Sequence, residues 1–188
     1  MKKVFFLCLL SQLFLLFVLC KDKYVMPHTP GVYIDKEGFN TQKEFWLNSG
    51  ITNYTYTFSF NGYPPYNAVA DVTVIGETID CVLKEYKGRK NSQITEEDKI
   101  SFEQNMQVIF ENFRIEKVYE SIETSIKRSY EAYKKDSDCY YSKFTFEFID
   151  TAPFINHYMK ASGIMVDGMM RGSSSITIKI ENFVEVLP

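Results

Sequence analysis

Strict alternation of apolar and polar residues sets the first boundaries along this chain. Tyr54, Tyr56, Phe58 and Phe60 fall on one side of an extended segment, and Thr55, Thr57 and Ser59 on the other, which predicts a strand over 54–60. A second strand over 68–75 turns Ala68, Ala70, Val72 and Val74 inward. A third over 78–85 does the same with Ile79, Cys81 and Leu83, and Gly76-Glu77 is the hairpin turn between them. The alternation returns over 140–149, with Phe144, Phe146 and Phe148 facing in, and over 176–181, with Ile176, Ile178 and Ile180. Between these groups the period changes: Ile115, Val118, Tyr119, Ile122, Ile126, Tyr130 and Tyr133 recur at three- and four-residue steps, the stripe of an amphipathic helix. Glu123–Lys127 and Glu131–Lys135 are spaced for ion pairs on its outer surface.

Shorter signals complete the outline. Thr41-Gln42-Lys43-Glu44 has the form of a capping box, Phe45 and Trp46 follow, and Gly50 is a stop, so a short helix is expected over 42–48. Thr95 before Glu96, Glu97 and Asp98 reads as another helix start, but the segment from there to Phe113 shows no regular stripe. Asn61-Gly62-Tyr63-Pro64-Pro65 breaks the chain, residues 86–94 read as a polar loop, and 156–173, with three glycines and four methionines, reads as a long loop. The order α-β-β-β-α-β-β predicts an α+β fold, an antiparallel sheet of about five strands with one long amphipathic helix packed on one face. Residues 41–188 form its single domain, and 21–40, with Pro27, Pro30, Gly31 and Gly38, read as a tether.

Residues 1–20 differ in kind. Lys2 and Lys3 precede an apolar run from Val4 to Leu19, broken only by Ser11 and Gln12, and Cys20 then stands before Lys21-Asp22-Lys23. The run is short for a membrane span, which needs about 20 apolar residues, and suits the core of a signal peptide. An apolar run ending in Cys resembles a bacterial lipoprotein signal, in which the Cys becomes the lipidated first residue. Leu19 is bulkier than the small residue that signal carries before the Cys. Lipidation at Cys20, an uncleaved N-terminal anchor and ordinary cleavage remain three alternatives, and each places the domain outside the cytoplasm in the cell envelope, facing the periplasm or exterior.

Composition adds two constraints. Sixteen Phe, thirteen Tyr and one Trp favour a β-rich core. The formal charge of −3, or −5 without Lys2 and Lys3, argues against a nucleic-acid partner, which calls for a basic surface.

Trp46, then Ser49-Gly50-Ile51-Thr52-Asn53-Tyr54-Thr55-Tyr56, resembles the opening of a family of small exported bacterial domains of unknown function. That opening is a Trp-bearing helix, a Gly-Ile turn and an Asn-Tyr-x-Tyr strand. Ile115 to Ile126 is similar to the family's central helix, Ala152-Pro153-Phe154-Ile155 to its Tyr-Pro-x-x-Ile strand, and Phe183 to its closing Phe. Together these span most of residues 42–188. Many relatives carry a cysteine-containing segment after the first strand, where this chain has Phe60-Asn61-Gly62-Tyr63. The resemblance implies the fold and export, and no chemistry.

Candidate chemistry is sparse. The two histidines are His28, in the tether, and His157. Neither belongs to a zinc-protease, hydrolase-triad or phosphate-loop motif, and no cofactor is implied. His157 and Met159, followed by Met165, Met169 and Met170, supply the imidazole and thioethers that suit Cu(I) outside the cytoplasm, against the plainer reading that the methionines fill gaps or form an adaptable surface. Cys81 and Cys139 are an even pair in an oxidising location and a candidate disulfide. Cys81 faces inward while Cys139 has outward parity, an objection that lapses if its strand begins after it. Three functions follow: a non-catalytic binding or structural module of the envelope, which meets a membrane through its leader and an envelope protein through loops 61–67 and 156–173; a soft-metal (Cu) binding protein; and an enzyme whose site would be a deep pocket of convergent, perturbed titratable groups.

Overall fold

The computed structural model describes residues 29–62, 66–90, 93–148, 154–167 and 169–187. The leader with Cys8 and Cys20, the first part of the tether with His28, and Tyr63-Pro64-Pro65 lie outside the described residues. Eight strands form one sheet: β1 (Gly31–Tyr33), β2 (Asn53–Gly62), β3 (Tyr66–Ile75), β4 (Thr78–Tyr86), β5 (Arg89–Lys90), β6 (Tyr140–Phe148), β7 (Ile155–Val166) and β8 (Met169–Glu185). Their order across the sheet is β1-β6-β7-β8-β2-β3-β4-β5. All neighbours are antiparallel except β1 and β6. Three helices, α1 (Lys36–Asn48), α2 (Glu96–Phe110) and α3 (Ile115–Lys135), stand among the described residues. None of them is long and apolar enough to cross a membrane.

The alternating rows read from sequence line the core. Tyr54, Tyr56, Phe58 and Phe60 of β2, Ala68, Ala70, Val72 and Val74 of β3, and Ile178 and Ile180 of β8 are buried. They meet Ile115, Val118, Tyr119 and Ile122 of α3 and Phe102, Met106 and Phe110 of α2 in one cluster. The outer face of the sheet is wet and polar: Asp71 accepts from Thr57 at 3.1 Å and pairs with Lys84 at 3.0 Å. The helices therefore cover one face only, as the period-two pattern requires. One part of that core is an aromatic knot. Trp46 of α1 stands edge-on to Tyr54, Phe154 and Phe183 with centroids 5.2, 6.5 and 6.0 Å away, and Phe154 and Phe183 meet at 4.6 Å.

The expected sheet of about five antiparallel strands under one long helix is overturned by eight strands, one parallel pair and three helices. The stretch 156–173, expected as a loop, forms most of the β7–β8 hairpin. A register shift between Ser162 and Ile164 breaks its parity. Gly163 sits at that bulge, where an added Cβ would lie 2.7 Å from Met170 Cγ and 3.1 Å from the Arg171 carbonyl oxygen. Ser162 and Ser174 share a hydrogen bond of 3.1 Å across the hairpin, and residues 171–175 are exposed. A strand wet on both faces has no reason to alternate, so the usual signal is missing. Strands β1 and β5 are three and two residues long, too short to show a period.

The helix starts also move. α1 begins at Lys36, inside the expected tether, and its N-cap is Asp35, whose carboxylate accepts from the Gly38 N–H at 2.9 Å, in place of Thr41. α2 starts where Thr95 suggests, with a reciprocal capping box: Asp98 N–H donates to Thr95 Oγ1 at 3.2 Å and Thr95 N–H to Asp98 Oδ2 at 3.1 Å. Glu123, spaced for Lys127, instead meets Lys43 of α1 at 2.7 Å.

Candidate functional site

A cavity of about 440 Å³ opens between the end of α2, the polar flank of α3 and the inward rows of β7 and β8. Its apolar lining comes from Ile109 and Phe110 of α2, Ile122 of α3, and Ile176 and Ile178 of β8. These residues continue the core stripes to the point where helix and sheet part. Ser121, Ser125 and Arg128 line the α3 side, spaced four and three residues apart and so on one flank of the helix. Tyr158 faces them from β7. Ser121 is tied down: its hydroxyl donates to the Ile109 carbonyl at 2.6 Å, which joins α3 to α2.

Charge is distributed unevenly. At one side Lys117 sits between Glu120 at 2.8 Å and Glu111 at 3.3 Å, and these two acids hold its ammonium above the ordinary lysine range. At the other side stand two cations. Arg128 lines the cavity and is exposed, and Lys160 of β7 reaches Ser125 in the wall, donating from Nζ to Oγ at 3.1 Å. Lys160 Nζ also lies 5.5 Å from the centre of the Phe144 ring. Neither cation meets a carboxylate among the described residues, whereas Lys117 meets two. Burial first, and then the charge of Arg128, lower the pKa of Lys160. Burial pushes the Tyr158 phenol well above its usual range, against a hydrogen bond with Ser125 that lowers it. A hydroxyl contacted by a half-buried lysine and a neutral tyrosine can do two things: hold an anion, or act as a nucleophile with the lysine as base.

The residues singled out from sequence lie elsewhere. His157 projects from β7 opposite Glu147 of β6, and its Nδ1 is 3.2 Å from the carboxylate. Met159 is exposed. Met165 is buried eight positions beyond His157 along β7, roughly 26 Å at the rise of a strand. Met165 pairs with Met170 across the hairpin, and Met169 is exposed beside the turn. Met165, Met169 and Met170 thus gather at the hairpin turn, and His157 and Met159 stand at the far end of β7, so the imidazole does not join those three thioethers. Among the described residues no three of His, Cys, Asp and Glu converge as a metal site. Cys81 lies on β4 and Cys139 in the turn before β6, and both thiols are free. Five strand spacings separate β4 from β6, roughly 24 Å, far beyond the span of a disulfide, so the candidate pairing is corrected.

The cavity itself went unread because Ser121, Ser125 and Arg128 look like the solvent face of an amphipathic helix, and Tyr158 and Lys160 sit in the stretch expected as a loop. The chain matches no protein-family model, and no curated protein matches it.

Proposed function

We propose that the chain is an exported envelope protein, tethered through its N-terminal leader, that works as a non-catalytic binding module with the α2–α3/β7–β8 cavity as its site. The observation that carries this is the cavity: about 440 Å³, within the common range of small-molecule pockets, with an isoleucine and phenylalanine floor flanked by charged and hydroxyl groups on both sides. Binding is favoured over acyl transfer by the position of Ser125. It stands in the middle of α3, so its own N–H belongs to the helix ladder and is not offered to an oxyanion. The leader supports export, and the exposed Ile164, Val166 and Met169 of the β7–β8 hairpin are the surface an envelope protein would meet.

The test has two arms. The full chain is titrated with the neutral dye N-phenyl-1-naphthylamine, and Thr124→Trp, at an exposed lining position, is titrated in parallel. Saturable binding lost in the tryptophan variant is expected; no binding, or equal binding to both, refutes the cavity as the site. Mass spectrometry of the mature N-terminus addresses the tether: an acylated Cys20 or a retained leader is expected, and a soluble chain cleaved elsewhere refutes it.

A further inference from the structure

The uneven charge around the cavity selects a class of ligand, an inference that rests on the cavity being a binding site. We infer that the cavity takes a small amphiphilic anion, its carboxylate or phosphate head held by Arg128 and the Ser125 hydroxyl, with Lys160 behind, and its apolar body on Ile122, Ile176 and Ile178.

Three observations converge on this. First, the acidic residues at the cavity are already engaged: Glu111 and Glu120 both bind Lys117, which leaves that side with a net charge of only −1 and turns the acids away from Arg128 and Lys160 towards Lys117. Second, Arg128 and Lys160 face the same serine region and neither meets a carboxylate among the described residues; burial first, and then the charge of Arg128, weaken the hold of Lys160 on its proton. Two cations, one of them half-buried, form a place where an anion lowers the free energy of the protein as well as its own. Third, Ser125 accepts its hydrogen bond from Lys160, so its own O–H proton is available to point at Tyr158 or at an arriving oxygen anion. The isoleucines beside these groups exclude a fully hydrated ion such as free phosphate as the best fit, because half of the lining offers it no hydrogen bond.

The probes are octanoate, 1-octanol and inorganic phosphate, titrated into the full chain and followed by the methyl resonances of Ile122, Ile176 and Ile178. Octanoate should shift all three and bind about tenfold or more tightly than 1-octanol, the gain expected for a hydrogen-bonded charge. Phosphate should bind more weakly than octanoate. Arg128→Gln and Lys160→Met should each bring octanoate down towards 1-octanol and leave 1-octanol unchanged; Lys127→Gln, an exposed neighbour outside the cavity lining, should alter neither. Arg128 is exposed, so its replacement reports on binding independently of any change in stability at Lys160. Equal binding of octanoate and 1-octanol, or an octanoate preference that survives Arg128→Gln, overturns the anion inference while the cavity remains a binding site. Phosphate binding as well as octanoate overturns the apolar half of the inference. No shift with any probe overturns both the inference and the binding site beneath it.

Discussion

Replacing Tyr54 with Phe removes one oxygen from the centre of the protein and tests how α3 is held in place. The N-cap residue of α3 is Arg114, which makes no side-chain cap hydrogen bond. The Ile115 N–H instead donates to the Tyr54 hydroxyl of β2 at 3.2 Å, and both residues are about 1% exposed. A tertiary contact thus does the work of a cap. The ring would remain packed on Trp46 and stacked on Phe183, at 5.2 and 5.6 Å, so the change isolates the hydrogen bond. A buried donor left without a partner costs about 1–3 kcal/mol, which brackets the roughly 1 kcal/mol typical of a lost N-cap. For a domain of this size that corresponds to a fall in Tm of roughly 2–12 °C. Urea unfolding measures the loss, and amide exchange at Ile115 localises it. A second signature is its pH dependence. Burial raises the Tyr54 pKa to about 12, so the folded state keeps this proton where the unfolded chain releases it near pH 10. The stability Tyr54 contributes is complete below pH 10 and is lost as pH rises towards 12. The variant's penalty should therefore shrink in that window. An unchanged urea midpoint together with unchanged Ile115 exchange would refute the capping role.

Other consequences are as direct. Trp46→Ala opens the knot formed with Tyr54, Phe154 and Phe183 and should cost about 3–5 kcal/mol in urea unfolding; a loss below 1 kcal/mol would mean the knot packs loosely. Cys81, whose thiol is pushed up to about 12 mainly by burial, should alkylate slowly at pH 8 in the folded protein and rapidly in urea. Non-reducing peptide mapping that found a Cys81–Cys139 link would contradict the strand order. Lys160→Met should gain stability on the parent protein at neutral pH. Lys160 faces Arg128 and Ser125 of α3, Tyr158 of its own strand and Phe144 of β6, so its charged form is disfavoured when folded. That cost is present below its lowered pKa and fades as pH rises to the ordinary lysine value of 10.5, so the advantage of the variant should close towards that pH. A difference independent of pH would place the effect in packing.

What could be read from sequence, and what could not, follows from burial. The rows at 54–60, 68–74 and 176–180 alternate because one face of each strand is sealed by helices and the other is wet, and the structure buries those same residues except Ile176, which is half-buried at the cavity. The α3 stripe is visible for the same reason. α2 is harder to see: its buried row advances in steps of four from the capping Asp98 through Phe102, Met106 and Phe110, so it opens on a carboxylate, while Ile100 on the same helix is 55% exposed and blurs the pattern. β1 owes its existence to a partner distant in sequence, Tyr141–Lys143, and no local signal encodes such pairing, whereas β5 folds back on the adjacent Glu85–Tyr86 through Lys87-Gly88, both at positive φ, and is too short to show a period. Thr41-Gln42-Lys43-Glu44 misled because a capping box also fits the interior of a helix that has already begun at Lys36.

The cavity lies where these signals fade, and the two facts share a cause. Along the inward row of β7 the residues run Tyr158, Lys160, Ser162, from a buried phenol to a half-buried ammonium to a hydroxyl in the wet part of the hairpin. Each step carries the strand further from the sealed core, so the row loses its apolar character as it passes the cavity. On α3 the flank that meets this row is Ser121, Ser125 and Arg128, beside the buried Val118 and Ile122. A helix can turn polar residues towards a sheet only where each finds a hydrogen-bond partner: Ser129 of α3 meets Ser142 of β6 directly at 3.3 Å, whereas at the cavity the helix and sheet part and leave room for solvent or a ligand beside Ser125 and Arg128. A lysine at inward parity opposite a serine-bearing helix flank is therefore the sequence signal for this site. It becomes legible only after β7 is recognised as a strand, because parity has no meaning in a loop.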